Sequence, residues 1–189
     1  MPMQTSVLKR LATGLAAGLL LMAVPSELVA QAGPSAADIV QALKPKPKPP
    51  AVRGLAGSRG ITVEGGDAPA PPPSINLQVN FEFDSSNLTN DAQLTLKALG
   101  EALKSKDLAG LRFRVIGHTD SRGSAEYNMD LSRRRADAVR AYLTQYYAIT
   151  GDRLEAEGKG KTELIDPSNP ESGLNRRVQV ITIGAMAAR

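Results

Sequence analysis

From Ile75 the chain alternates. INLQVNFEF places Ile75, Leu77, Val79, Phe81 and Phe83 at every second position, the period of a half-buried strand, because successive strand side chains point to opposite faces. Turn-forming residues from Asn87 to Asn90 end that pattern. The spacing then lengthens, and Leu94, Leu96, Leu99 and Leu103 predict a helix with Thr89 or Asn90 as its cap. LRFRVIG (Leu111 to Gly117) predicts a second strand, and Ser124 to Tyr147 a long helical region with Leu131, Ala138, Tyr142 and Tyr146 near one face. Leu154 to Ala156 starts a third strand, and the β-branched run from Val178 to Ile183 predicts a fourth. The order β-α-β-α-β-loop-β implies an α+β fold (an α/β sandwich), with a mixed four-stranded sheet and helices packed on it. A segment of about 110 residues buries roughly two thirds of its unfolded surface, enough for one core.

Upstream the pattern is different. Lys9 and Arg10 precede the uncharged run LATGLAAGLLLMAV, Pro25 ends it, and AQA (Ala30 to Ala32) supplies small residues. A positive start, a short apolar middle and an A-x-A end predict a cleaved secretory signal over residues 1–32. The apolar run would reach about 21 Å as a helix, against the roughly 30 Å of a hydrocarbon core, which disfavours the rival reading of an uncleaved anchor. Residues 33–73 hold KPKPKPP and DAPAPPP. Proline removes a backbone donor and favours extended conformations, so this stretch is expected to be a flexible Pro/Lys-rich linker reaching on the order of 120 Å. Asp38 to Leu43 suits one short helical turn and Ile61 to Val63 a short strand, neither able to stand alone. The folded domain is expected over 74–184, with a tail at 185–189.

Charge refines this picture. The formal net charge is +4, yet between Ser74 and Gly184 fifteen Lys/Arg are matched by fifteen Asp/Glu. The excess therefore belongs to the flanking segments, and with aromatics at 4% neither the electrostatic footprint nor the stacking platform of a nucleic-acid binder is present. No cysteine occurs, which excludes disulfides, thiolate zinc sites and cysteine nucleophiles.

The candidate chemistry lies around Asp120 and Arg135. Asp120 is placed just beyond the second strand, in a loop kept open by Ser121 and Gly123, and ligands of open α/β sheets gather outside strand C-termini. A kink near Asn128, with Ser132 capping a fresh helix, would put Arg135 in a first turn facing the same place. An acid and an arginine there suit a zwitterionic amino-acid head group. An ordinary salt bridge between the two is the competing reading. His118, the only histidine, has no companion ligands for a metal site, and a structural role at the strand end is expected. GKGKT is not a phosphate loop, because Glu155 stands where the motif requires glycine. The residues call for neither a metal nor a cofactor.

GHTDSRGSAEYNMDLSRRRADAV, from Gly117 to Val139, resembles the signature of the OmpA-like C-terminal domain family, the peptidoglycan-binding type found in outer membrane proteins and peptidoglycan-associated lipoproteins. Gly117, His118, Thr119, Asp120, Gly123, Tyr127, Asn128, Leu131, Ser132, Arg135, Ala136 and Val139 all match. FEFDSSNLT, GKGKT and GLNRRVQV extend the likeness. The resemblance implies a non-catalytic domain that binds peptidoglycan non-covalently in the periplasm of a Gram-negative bacterium and contributes to envelope integrity. Its site residues would be Asp120 and Arg135, holding the diaminopimelate of the stem peptide, with Asp84, Thr119, Asn128, Leu131 and Arg177 in support. Asn128 serves its own turn as readily as a ligand, Arg176 and Arg177 suit ties to the last strand, and Arg133 and Arg134 are expected to be solvated. The chain shows neither the barrel nor the lipidated cysteine of some members, which leaves two expectations open: a periplasmic protein held at the wall by peptidoglycan alone, or one associated with the outer membrane. The alternative is a periplasmic scaffold protein whose Pro-rich segment recruits an outer-membrane or periplasmic partner.

Overall fold

The computed structural model describes residues 33–46 and 70–186. The expected signal at 1–32, the strand expected at 61–63 and most of the Lys/Pro stretch lie outside these residues.

Helix α1 (Ala36–Leu43) precedes strand β1 (Ser74–Leu77), helix α2 (Asn90–Lys104), strand β2 (Leu111–His118), helix α3 (Ala125–Tyr147), strand β3 (Leu154–Gly160) and strand β4 (Val178–Ala185). The sheet order is β1-β4-β2-β3, with β2 and β3 parallel and the other two pairings antiparallel. A β2-α3-β3 crossover produces the parallel pair, as such a pair requires. Phe113, Val115, Val178 and Val180 join the helices in one core with Leu96, Leu99, Leu103 and Val139. On the opposite face Arg112 and Arg114 pair with Glu155 at 2.6 and 3.1 Å. These half-exposed pairs add little stability, but their charge discourages strand addition at the β3 edge.

Three boundaries differ from the sequence pattern. The alternation through Phe83 predicts a nine-residue strand, yet β1 ends at Leu77, where its partner β4 begins at Val178. Val79 stays buried, and Phe81 keeps only an isolated bridge to Leu88. Val79 and Phe81 thus still follow the core while the backbone has lost its ladder, but Phe83, the last of the alternating positions, is fully exposed. No kink divides α3. Ser124 caps it, accepting from the Tyr127 amide at 3.1 Å. Ser132 instead donates to the Met129 carbonyl and accepts from the Gly160 amide, clasping α3 to β3. Arg135 therefore lies mid-helix rather than at a helix N-terminus.

The third difference falls in the segment expected to be linker. Ser35 and Asp38 form a capping box for α1, and Ile39 and Leu43 are fully buried in the core. Amphipathic spacing was present in Ile39, Val40 and Leu43, but only the surface they pack against makes so short a helix stable. Thr182 then joins both flanks of the Lys/Pro stretch, donating from Oγ1 to Leu43 O at 2.7 Å and from its amide to Pro73 O at 2.9 Å. The two described flanks of the stretch therefore meet beside one residue. Leu43→Ala is expected to cost about 2–4 kcal/mol as a buried large-to-small change. Lys44→Ala, which breaks the exposed pair with Asp107, is expected to cost under about 1 kcal/mol. Denaturant titration distinguishes the two.

Candidate functional site

The parallel pairing of β2 with β3 fixes where the chain leaves the sheet. At the end of β2 the Thr119 amide donates to Gly160 O at 2.9 Å, and the following residue, Asp120, enters a loop. Its carboxylate accepts the Arg122 amide on Oδ1 at 3.2 Å, the turn that an aspartate makes with the residue two positions on. Oδ2 accepts from Arg122 Nη2 at 3.0 Å and from Arg176 Nη1 at 2.8 Å. Burial pushes the Asp120 carboxyl up, but the hydrogen bonds from Arg122 and Arg176 outweigh it and hold the group below its ordinary value. Asp120 is therefore ionised at neutral pH, and among the described residues one backbone donor engages Oδ1. Lys161 donates to the Ser121 and Gly123 carbonyls, and Asn128 donates to Arg122 O at 2.6 Å, so the loop is pinned from two sides.

Arg135 reaches the same cleft from α3. It is 9% exposed, with Nε donating to Ser85 O at 3.0 Å and its guanidinium 4.9 Å from the centre of the Phe81 ring. Burial, then the nearby Arg176 charge, loosens its proton, but a guanidinium remains charged in any accessible pH range. Its terminal nitrogens make no hydrogen bond among the described residues. Asp120 and Arg135 do not form an ion pair with each other, which removes the salt-bridge reading of the two residues.

The cleft between them has a volume of about 660 Å³. Asp84, Thr119, Asn128 and Leu131 line it with Asp120 and Arg135, so the sequence brought six residues to one place. Arg177 is elsewhere. Its Nε donates to Asn76 Oδ1 and its Nη2 to Glu163 O, tying the start of β4 to β1 and the preceding loop. The neighbouring Arg176, given a structural role by the sequence, is the one in the cleft. Two adjacent arginines leaving a turn point to opposite sides, and the sequence does not tell which goes inward. Arg122, Phe83 and Tyr127 also line the cleft. For Arg122 a signal existed in its two-residue spacing from Asp120; for Tyr127 and Phe83 the signal was their place in the matched motifs, which did not say that they face the cleft.

Arg133 and Arg134 lie on the outer side of α3, paired four residues away with Asp137 and Asp130. His118 is 1% exposed, and neither ring nitrogen has a partner in hydrogen-bonding geometry. Burial, then the Arg177 charge, lowers it to about 4, with the Gln179 side chain opposing the shift. It is a neutral packing residue at neutral pH. Among the described residues no three metal-ligating side chains cluster.

Residues 80–177 match the OmpA family. The chain belongs to the OmpA family. It is 34% identical over 123 residues to outer membrane porin F of Pseudomonas aeruginosa, covering 63% of this chain and 35% of the porin. It is 39% identical over 104 residues to the peptidoglycan-associated lipoprotein of the same organism, covering 53% of this chain and 58% of the lipoprotein. The chain thus spans less than two thirds of either relative. Among solved structures, the OmpA-like domain of FopA1 from Francisella tularensis superposes with a TM-score of 0.50 at 20% identity, covering 61% of this chain and 77% of that one, a likeness of fold. The OmpA-family match begins at Asn80, so α1, β1 and the Thr182 contact to Leu43 involve residues that lie wholly or partly outside it.

Proposed function

We propose that this OmpA-family domain is a non-catalytic envelope module that binds peptidoglycan, and that its cleft grips the diaminopimelate of the stem peptide. One observation carries the reading. Asp120 and Arg135 line the same cleft unpaired with each other, and among the described residues one has a carboxylate oxygen held by a single amide and the other has terminal nitrogens that make no hydrogen bond. An ammonium and a carboxylate on one carbon complement those two groups, and charge-assisted hydrogen bonds in a half-closed cleft are the strong kind. The name of the lipoprotein relative points the same way. Asp84 adds an acid and Arg176 a base to the lining, so the cleft carries both signs, as a zwitterion requires.

Co-sedimentation with purified sacculi tests this. Asp120→Asn and Arg135→Ala are each expected to weaken binding more than tenfold, the size associated with truncating one member of a desolvated charged contact. Both variants should retain a cooperative thermal transition. Arg177→Ala should lower stability but leave binding by the folded protein unchanged. If Asp120→Asn and Arg135→Ala sediment as the parent does, the cleft is not the wall-binding site. A scaffold role is supported by one feature, the Lys/Pro stretch whose flanks meet at Thr182. Replacing residues 47–69 by a short Gly/Ser loop should then abolish cross-linking to an envelope protein and spare wall binding.

A further inference from the structure

The turn after Phe81 holds an aromatic ring out in water. Phe83 is 100% exposed, and its neighbour Asp84 has φ 51, a left-handed conformation that costs a non-glycine residue about 1–3 kcal/mol. The turn is nevertheless closely tied. The Glu82 amide donates to Asn87 O at 3.0 Å, Asn87 Nδ2 donates to the Glu82 carboxylate at 3.0 Å, and Arg135 Nε holds Ser85 O. Exposure of Phe83 is thus imposed by a braced turn. Tyr127, 40% exposed, lines the same cleft from the first turn of α3.

Resting on the peptidoglycan reading, we infer that Phe83 and Tyr127 form a carbohydrate subsite at the cleft mouth, taking a pyranose ring of the glycan to which the stem peptide is attached. A cleft of 660 Å³ is in the range that accepts a drug-sized ligand, so one amino-acid centre leaves room for a neighbouring group. A pyranose presents an apolar C–H face to a flat ring and hydroxyls at its edge. Phe83 supplies the flat surface, and Glu82 and Arg122, both lining the cleft, supply an acceptor and donors beside it. An alanine methyl of the peptide would suit an enclosed pocket rather than an open ring.

Calorimetry with two probes, the free stem peptide and the same peptide carrying its disaccharide, separates this inference from the reading beneath it. The protein is expected to bind the disaccharide-peptide about tenfold more tightly, the scale of one aromatic contact. Phe83→Ala, which removes no packing from the folded domain, should abolish that difference, so that the two probes bind alike. Tyr127→Ala should reduce the difference in part. Equal affinity of the parent protein for the two probes would overturn the subsite. So would a Phe83→Ala variant that weakens both alike, which would place the ring on the peptide. If the parent protein binds neither probe, the peptidoglycan reading fails and takes the subsite with it.

Discussion

Gly117→Ala is expected to lower stability by about 3 kcal/mol or more, near the top of what overpacking costs, and the melting temperature by roughly 10 °C for a domain of this size. A methyl group at Gly117 would fall inside the Ser132 carbonyl oxygen, and one at Gly158 would sit 2.6 Å from the Arg133 amide nitrogen and from Ser132 Oγ. The obstruction is largely backbone, and backbone of α3 cannot swing aside as a long side chain can. The two glycines let α3 lie directly on β2 and β3, and that approach brings Arg135 over the cleft beside Asp120. Gly110→Ala is the control, since a methyl there meets nothing within 4 Å. Thermal unfolding by circular dichroism decides it. If Gly117→Ala melts within a few degrees of Gly110→Ala, α3 does not rest on the sheet as described.

Acid should weaken the fold well before its carboxylates titrate, and His118 is the reason. Its folded value of about 4 lies below the ordinary value of about 6.5. Between those limits the unfolded chain binds a proton that the folded chain refuses, so stability falls as pH falls from about 6.5 to 4, by about 3 kcal/mol in all and about 2 kcal/mol by pH 5. Below 4 both states are protonated and this contribution stops growing. Asp120 acts in the same direction at lower pH. Its carboxyl is held below its ordinary value, so the stability it contributes is present above that ordinary value and is lost as pH falls through the folded one. Urea unfolding at pH 7, 6 and 5 is expected to show the decline in the parent and to lose it in His118→Leu, whatever the variant's absolute stability. An equal slope in both would mean that His118 takes up its proton inside the fold.

What the sequence made legible follows from which interactions are local. The period-two run from Ile75, the leucines of α2 and the β-branched run of β4 all report burial one residue at a time, and the architecture follows from them. Asp120 was visible because a loop aspartate beyond a strand is a local feature; Arg135 came through the likeness of its surrounding motif. Interactions between distant elements were not legible. The end of β1 at Leu77 depends on where β4 starts, at Val178. The choice of Ser124 over Ser132 as the α3 cap depends on the Gly160 amide, which takes the Ser132 hydroxyl for another purpose. The docking of α1 depends on the distant core surface that buries Ile39 and Leu43, so the short amphipathic spacing before KPKPKPP announces a helical turn but not its burial. Which of Arg176 and Arg177 enters the cleft is likewise set by how the turn before β4 meets Asp120 and Asn76.

The measurement that bears most directly on the account is a binding cycle with two stem peptides, one carrying diaminopimelate and one carrying lysine. Lysine keeps the ammonium and lacks the carboxylate assigned to Arg135. The parent protein is predicted to prefer the diaminopimelate peptide by roughly 30-fold, the value of hydrogen bonds to a charged group. Arg135→Ala is predicted to bind the two peptides equally, because the carboxylate and the arginine are then one interaction counted once. A parent protein that does not distinguish the peptides, or an Arg135→Ala variant that still prefers diaminopimelate, would contradict the assignment of Arg135 and with it the two-charge grip proposed for the cleft.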